Sequence, residues 1–366
     1  MKRFKSIDFL RGIHVFLMIV LHYCEWWLVA DARELKELMF HIFEPIGATG
    51  FLFISGVSAS LSYKSRKIKF KTLDSLNWLK VKKIHFLRAF LLLLIALIYN
   101  LILSFRFGDL SDVWSWNVLQ TIAVSLIVVW PLLKQSRVVR IIIGVFFLLI
   151  NQLLLILLSP FENQLNFFGI VFHILYNPLQ QFTILSFLPF FIFGTVIGDY
   201  IFEISALKDE KDTKYAIKNL FLKKILILGS VLIVIGVLYQ FPYFVVRNTF
   251  PSFIYSIGVI LVLFSLLISI EEFKLIKVKK NYDFFFFYSY YSFTVYLGHN
   301  ILFFLFFEQL DAISFWIPII LTMTIITILL RIMYKKLGPK ASLKTGITAL
   351  SYVLVTKLNK KKHNNL

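Results

Sequence analysis

Charged residues are scarce in this sequence of 366 residues: they make up 16%, whereas soluble globular domains contain roughly 25%. Hydrophobic residues make up 59%, and the mean hydropathy is +0.80. The apolar residues fall in blocks of about 20, the length at which a helix crosses roughly 30 Å of hydrocarbon. This composition excludes a soluble enzyme of two or three domains and predicts a polytopic membrane protein.

Other features that define common enzyme classes are also missing. Cys24 is the single cysteine, so an internal disulfide is excluded. No Walker loop, zinc-ligand cluster or GxSxG nucleophile elbow occurs, so neither ATP chemistry nor a bound metal is expected. The N-terminus lacks a signal-peptide cleavage pattern, and its apolar block is predicted to be a span. The inverted repeat found in many transporters is also lacking.

Acidic residues are outnumbered by basic ones, 20 against 39, which gives a net charge of +19. The basic residues lie in short segments between apolar blocks and not on a soluble face, so nucleic acid is not an expected partner. If the chain has about ten spans, the only basic residues in the odd-numbered loops are Arg33, Lys36, Arg106 and Arg247. The positive-inside rule then places both termini and the basic loops in the cytoplasm.

The predicted fold class is an all-α polytopic membrane protein of about ten transmembrane helices, with N-in/C-in topology. Residues 1–340 are predicted to form the transmembrane domain, and residues 341–366 a cytoplasmic interfacial helix with a basic tail. Residues 159–183 are predicted to form a long outer loop. The predicted spans cover residues 9–29, 44–62, 84–105, 116–133, 138–158, 184–203, 221–239, 250–270, 284–307 and 313–334.

Ionisable side chains within the first and ninth spans are the leading functional candidates, because charge is costly at membrane depth. Arg11 and His22 share a helix face, since 11 residues return to within about 20° of the starting direction. The helical rise separates them by roughly 16 Å, and His14 lies between them. His299 lies about 22 Å along the ninth span, which places it at a depth similar to that of His22.

Simpler explanations exist for the same residues. A single intramembrane histidine can hydrogen-bond to a neighbouring helix, and Arg11 can extend to lipid headgroups as a topology anchor. The basic loops are explained by topology alone. At the outer end of the fourth span, Asn117 and Gln120 add amide groups to a polar cavity that the sequence predicts in the outer half of the membrane.

Four stretches together resemble one superfamily of membrane acyltransferases. The first reads SIDFLRGIHVFLMIVLHY (6–23), with an Asp-x-x-Arg-Gly motif and an Arg-x10-His pair. The second reads GATGFLFISGVSASLSYKSR (47–66), and the last reads YSFTVYLGHNILFF (291–304). The third reads WNVLQTIAVSLIVVW (116–130), which resembles the catalytic domain of heparan-alpha-glucosaminide N-acetyltransferase. The Arg-x10-His pair is shared with the related acyltransferase-three family.

This resemblance implies an enzyme that takes an acyl group, typically acetyl, from cytoplasmic acyl-CoA and transfers it to an amine or hydroxyl on the far side. The acceptor is often a sugar. The glucosaminide branch places a catalytic histidine in the loop after its first span, where this chain has His41. Whether transfer is direct or passes through an acyl-histidine stays open.

The resemblance also implies roles for individual residues. The expected catalytic residues are a general base, His22 or His299, and an oxyanion donor, Asn117 or Gln120. The residues expected to bind acyl-CoA are Arg11, His14, Lys64 and Arg66. The residues expected to contact the acceptor are Glu44, His41, His173 and Tyr176.

The expected partners are acyl-CoA as a co-substrate, a sugar or glycan acceptor and membrane lipids, with a homodimer left open. No permanently bound cofactor is expected, and the expected location is the cell membrane. The alternative class is a transporter, or a protein that binds lipids or anions, in which the same His and Arg groups relay protons or bind an anion. Another alternative is an acyltransferase that uses a lipid-linked sugar.

Overall fold

The structure, a computed structural model, describes residues 4–70, 75–108, 110–177, 181–207, 209–241, 243–246, 248–275 and 283–364. These residues form helices joined by short turns, and the one β-type pairing among them is an isolated bridge between Leu28 and Leu310. Eight of these helical stretches are long and apolar enough to cross a membrane. The all-α polytopic fold class is therefore confirmed, whereas the number of crossings and their orientation stay predictions.

Several residues of the predicted N-terminal segment and loops lie outside the described residues: Lys2, Arg3, Lys71, Pro178, Lys208, Arg247, Lys277, Lys279 and Lys280.

The α-helices are α1 (Lys5–Trp27), α2 (Arg33–Phe43), α3 (Ala48–Phe70), α4 (Ser75–Phe107), α5 (Val118–Leu132), α6 (Arg137–Leu158), α7 (Phe167–Tyr176), α8 (Ile184–Ser205), α9 (Glu210–Tyr215), α10 (Lys223–Tyr239), α11 (Phe250–Phe273), α12 (Asp283–Tyr290), α13 (Ser292–Gly298), α14 (Trp316–Lys336) and α15 (Leu343–Asn364). A π-helical segment, Ala216–Leu222, joins α9 to α10, and a 3-10 helix, His299–Leu305, follows α13.

The chain divides into two compact units, each built from segments distant in sequence. Unit 1 consists of Met1–Phe51, Lys208–Ile235 and Tyr255–Gly346. Unit 2 consists of Leu52–Leu207, Gly236–Ile254 and Ile347–Leu366. The predicted division at residue 340, and the interfacial position of the helix beyond it, stay predictions, although α15 does form a helix there.

Unit 1 is organised around the contact between α1 and α12. A Cβ atom at Gly12 would lie 2.0 Å from the carbonyl oxygen of Phe285, so the two helices pack backbone against backbone at this point. Small residues allow this close packing in membrane proteins, where van der Waals contact replaces the hydrophobic effect between helices. Beyond this point the core is aromatic, with Tyr23, Trp27 and Tyr288 fully buried.

The N-terminus of α1 is held by a carboxylate from α11. Glu271 accepts hydrogen bonds from the backbone N–H groups of Lys5 at 2.8 Å and Ser6 at 2.7 Å, and also from the Ser6 hydroxyl. The first N–H groups of a helix lack partners within the helix and carry partial positive charge, so a carboxylate both satisfies and neutralises them. This contact fixes the start of the helix that carries Arg11 and His22.

In unit 2, an irregular segment before α5 is hydrogen-bonded to the residues around α7. The Trp116 backbone N–H donates to the carbonyl of Asn177 at 2.9 Å, and its indole N–H donates to the carbonyl of Ile174 at 2.8 Å. Leu158, Phe172 and Tyr176 form a small buried cluster beneath this segment. The start of α5 is thereby held in a fixed position.

Two segments between predicted spans contain short helices that were not predicted. In the predicted loop 159–183, Asn166 caps the ten-residue helix α7 by accepting from the Gly169 N–H at 2.8 Å. The segment after the first span, around His41, forms α2. Both helices are too short to span a bilayer, so hydropathy blocks of spanning length do not reveal them.

The predicted ninth span, 284–307, is not one continuous α-helix. It is interrupted at Tyr291, which has φ −99° and ψ 18°, and from His299 it continues as a 3-10 helix. The predicted fourth span is shorter than expected: α5 has 15 residues. Both deviations occur where polar side chains enter the apolar blocks.

Replacing Gly12 with alanine tests the contact between α1 and α12. We expect Gly12→Ala to lower the stability by about 1–3 kcal/mol, because the new methyl group overlaps the Phe285 backbone. Thermal unfolding of the detergent-solubilised protein measures this effect. Gly346→Ala is the control, since a Cβ there meets nothing within 4 Å. Equal melting temperatures for the two variants would contradict the close packing.

Candidate active site

Two histidines from distant parts of the sequence meet in unit 1. His22 Nδ1, on α1, lies 2.7 Å from His299 Nε2, at the first residue of the 3-10 helix. The rings are stacked, with centroids 4.9 Å apart and planes 15° apart. His299 is buried and His22 is half-buried. The structure therefore brings together the two residues predicted as alternative general bases.

Hydrogen bonds to the backbone determine which nitrogen carries the proton. His299 Nδ1 lies 2.6 Å from the carbonyl oxygen of Tyr296, an acceptor, so in the neutral ring Nδ1 is protonated. His299 Nε2 then carries a lone pair and accepts from His22 Nδ1–H. The lone pair of the neutral His22 ring consequently lies on Nε2. In this arrangement His22 is the base, and His299 orients it.

Aromatic rings enclose the pair on one side. Trp26 stacks on both imidazoles, with centroids 5.2 Å from His22 and 5.5 Å from His299. Trp27 donates its indole N–H to the carbonyl of Leu302 at 3.1 Å, one turn further along the 3-10 helix. These contacts fix the orientation of the two imidazole rings relative to each other.

Backbone pairing closes the end of the site next to the histidines. The N–H of Glu308 donates to the carbonyl of Trp26, and the N–H groups of Val29 and Leu310 donate across the isolated bridge, each at 2.9 Å. The next residue, Asp311, accepts from the backbone N–H groups of Ser314 and Ile313, which lowers the pKa of its carboxyl. The chain that follows His299 is thus anchored to the end of α1.

Arg11 lies 11 residues before His22 on the same unbroken helix, a rise of about 16 Å. Its Nη1 donates to Asp8 Oδ1 at 3.2 Å and to Ser289 Oγ at 3.4 Å. The guanidinium is buried and has a carboxylate partner on its own helix. These contacts are explained if Arg11 positions α12. The predicted role of Arg11 in binding acyl-CoA stays a prediction.

The imidazole of His14 packs against Gly50, at a position where a larger residue would overlap the ring. Its ring lies against the start of α3, where a Cβ at Gly50 would be 2.1 Å from Cε1 of the imidazole. The side chain is 1% exposed. This environment is that of a helix contact within unit 1, and the predicted acyl-CoA contact of His14 stays a prediction.

In unit 2, Asn117 and Gln120 belong to a buried amide network together with Asn100 of α4. Asn117 caps α5 by accepting from the Gln120 backbone N–H at 2.9 Å, and its Nδ2 donates to Asn100 Oδ1 at 2.6 Å. Asn100 Nδ2 donates to Gln120 Oε1 at 3.2 Å. The structure thus joins the two residues predicted as alternative oxyanion donors, and gives them different environments.

A second cluster in unit 2 is built from charged side chains. Arg140, 1% exposed, pairs with Asp199 and donates to Thr195 Oγ1 at 3.0 Å. Asp199 also accepts from Ser60, and its Oδ2 lies 3.3 Å from Lys64 Nζ. Lys64 is also 3.3 Å from Glu203. The positive charge of Lys64 is therefore balanced by the carboxylates of Asp199 and Glu203.

Arg66 differs from Lys64. It lies one turn after Tyr63 on α3, and Arg88 lies one turn after His85 on α4. Both arginines are half-buried, they repel each other, and neither has a hydrogen bond or ion pair within the described part of the chain.

The aromatic neighbours of the two arginines share a contact with Trp130. Its ring lies 4.4 Å from that of His85 and 5.3 Å from that of Tyr63. Two guanidinium groups that repel each other and have no carboxylate partner among the described residues form a site suited to an anion.

The four residues predicted to contact the acceptor are divided between the two units, and their role stays a prediction. His41 is exposed on α2, and Glu44 follows that helix, both in unit 1. His173 and Tyr176 lie on α7 in unit 2. Tyr176 is fully buried and donates to the carbonyl of Asn151 at 3.2 Å, a contact typical of a core residue.

A protein-family model described as an acyltransferase domain matches residues 4–334. The chain belongs to the acyltransferase-3 family. No curated protein matches it. The match covers both units and nearly the whole chain, so this acyltransferase is an integral membrane protein whose helices belong to the domain itself. The predicted closer relationship to the glucosaminide branch is not confirmed.

Sequence reasoning missed several residues that the structure places in these clusters. Asn100 is a lone amide in the apolar run LLLLIALIYNLILSF, and this was a usable signal. Arg88, Arg140 and Asp199 also lie within predicted spans. The two arginines were counted only as topological charges, and Asp199 was not considered. Intramembrane position alone would have identified all four as candidates.

The buried pair of Arg140 and Asp199 gives a prediction about stability. We expect Asp199→Ala to cost about 3–5 kcal/mol, because it leaves a buried guanidinium without its carboxylate. Glu203→Ala, whose side chain is 54% exposed, should cost at most about 1 kcal/mol. Thermal unfolding in detergent measures both, and similar losses would show that Asp199 is not the main partner of Arg140.

Proposed function

We propose that this membrane acyltransferase transfers an acyl group, acetyl in the simplest case, from cytoplasmic acyl-CoA to a hydroxyl or amine on the far side of the membrane. The observation that carries the proposal is the pair of His22 and His299, in which the lone pair lies on His22 Nε2. Family membership supports acyl transfer. The predicted sugar acceptor and the cell membrane as location are parts of the proposal.

In the proposed reaction His22 acts as a general base. Its Nε2 takes the proton from the acceptor O–H or N–H as that atom bonds to the thioester carbonyl carbon. The carbon–sulfur bond then breaks, and the sulfur leaves as the CoA thiolate. The thiolate receives the proton from the imidazolium, which restores the neutral pair. His299 accepts the hydrogen bond from His22 Nδ1–H and holds the ring in the required tautomer throughout.

For the donor, we propose that Arg66 and Arg88 bind a phosphate group of acyl-CoA. No carboxylate partner for either arginine occurs among the described residues, which supports this role, whereas the two carboxylates around Lys64 argue against that residue as the main phosphate ligand. A phosphate is also the ligand that guanidinium groups bind with two parallel hydrogen bonds. The proposal therefore replaces Lys64 with Arg88 and retains Arg66.

Substitutions of the two histidines test the base. We expect His22→Ala to lower acetyl transfer by about a hundredfold or more, the usual contribution of a general base. His299→Gln keeps a side chain that can donate and accept, so its loss should be smaller than that of His299→Ala. Release of CoA from acetyl-CoA by the purified protein in lipid vesicles is the measurement, and Gln135→Ala, in an exposed turn, is the control. Full activity in both alanine variants would refute the assignment.

Substitutions of the arginines test the donor site separately. Arg66→Met and Arg88→Met should each raise the KM for acetyl-CoA by about tenfold or more, since each removes a charged hydrogen bond, and should change kcat less. Lys67→Met, an exposed neighbour on α3, is the matched control for the loss of one positive charge. A KM raised equally by Lys67→Met would mean that general electrostatic attraction explains the effect.

A further inference from the structure

The amide network at the start of α5 has a fixed direction, because it begins at a backbone N–H. The Gln120 backbone N–H can only donate, so the Asn117 atom 2.9 Å away must be oxygen. Asn117 Nδ2 then faces Asn100 at 2.6 Å, and the atom it meets there must also be oxygen. The orientation of the first two amides follows from this one backbone group.

Backbone carbonyls fix the third amide independently. Asn100 Nδ2 lies 2.7 Å from the carbonyl oxygen of Ser115 and 3.3 Å from that of Val113, so this atom must be the nitrogen. It also faces the Gln120 side chain at 3.2 Å, and the atom it meets must be Oε1. The orientation of Asn100 deduced from the backbone carbonyls is the same as that deduced from the Gln120 N–H. Each of the three amides therefore has a single allowed orientation.

The consequence is an amide nitrogen without a protein partner. Gln120 Nε2 carries two N–H donors, the side chain is 0% exposed, and no hydrogen-bond acceptor for Nε2 occurs among the described residues. Leaving a buried donor unsatisfied is costly, and native proteins rarely retain such a group without a role. Rotating the amide would not help, because Nε2 would then face the Asn100 donor.

Two other polar atoms on α5, Ser125 Oγ and Trp130 Nε1, have no hydrogen-bond partner in the part of the chain that the structure describes. They do not belong to the same site, because steps of five residues turn a helix by about 140° each time. Neither is held by a hydrogen-bonded network. Gln120 is therefore distinguished by its fixed orientation, with every other polar atom of the network engaged.

We propose that Gln120 Nε2 is a binding group for a carbonyl oxygen of the acyl donor. This inference rests on the proposed function, and it separates two residues that were alternatives in the sequence. Asn117 caps the helix with its side-chain oxygen and donates from Nδ2 to Asn100. Gln120 Nε2 is oriented by the network and has no acceptor among the described residues. Acyl-CoA offers two kinds of carbonyl, the thioester and the amides of its pantetheine arm.

A neutral donor suits a carbonyl better than a phosphate or carboxylate, because the surroundings of Gln120 carry no cation among the residues that form the network. If the carbonyl is that of the thioester, the amide also stabilises the negative charge that develops on its oxygen during transfer. Gln120 would then be a catalytic residue. If the carbonyl is a pantetheine amide, Gln120 aligns the donor.

The test combines stability with binding, using the full-length protein and the variant Gln120→Met, which is similar in size and has no donors. The variant loses the acceptor Oε1, but Asn100 Nδ2 keeps the carbonyl of Ser115 as its partner at 2.7 Å. If the donors serve a ligand, the ligand-free variant should therefore melt at the same or a higher temperature than the wild type, because an unsatisfied buried donor is removed. Gln152→Met is the matched control, because Gln152 Nε2 donates to the carbonyl of Asn248 at 2.8 Å, and this variant should melt lower. A fall for Gln120→Met as large as that for Gln152→Met would overturn the proposal.

Titration with acetyl-CoA and with CoA identifies the carbonyl. A roughly three- to tenfold loss of affinity for acetyl-CoA alone would assign the thioester, and an equal loss for both would assign a pantetheine amide. Unchanged affinity for both probes, with unchanged CoA release, would overturn the inference and leave the proposed function intact. If the wild type binds neither probe, the proposed function fails and this inference fails with it.

Discussion

Polar groups inside the hydrocarbon of a bilayer have no water to bond with, so each needs a protein partner or a ligand. This requirement accounts for the main side-chain networks of the acyltransferase. Glu271 satisfies the first N–H groups of α1, and Asp199 balances the buried charge of Arg140. Tyr296 accepts from His299 through its backbone carbonyl. In each case a chemical group is oriented by the same contact that makes its burial tolerable.

Within unit 1, helix α1 joins the contact with Glu271 to the pair of histidines. One end is fixed by Glu271, the middle packs against α12 at Gly12, and the other end is paired with the chain around Leu310. His22 is therefore positioned by contacts along the full length of the helix. Its partner His299 is held separately, by the carbonyl at the end of α13. The geometry of the pair depends on the packing of unit 1 as a whole.

The sequence was sufficient to predict the membrane class, most helices and a similar depth for His22 and His299, because hydropathy, periodicity and depth follow from composition and helical rise. It did not predict that the two rings are in contact. It was not sufficient to distinguish Asn117 from Gln120, or Lys64 from Arg66. Those distinctions depend on which partner each polar atom finds, and the partners Asn100 and Asp199 come from other helices. The helix α7 was missed because it is shorter than a span, although Asn166 is a recognisable cap.

The 3-10 helix from His299 to Leu305 connects two anchored positions, so the number of residues between them is constrained. At a rise of about 2.0 Å per residue, its seven residues cover roughly 14 Å, a distance that would require about nine residues of α-helix. The segment is tied at its start to His22 and soon after its end to Trp26 and Trp27. An inserted or deleted residue would turn one anchor by about 120° relative to the other. From residue 300 to Leu305 the number of residues is thus more tightly constrained than their identity, and side chains there can vary more freely than the length of the segment.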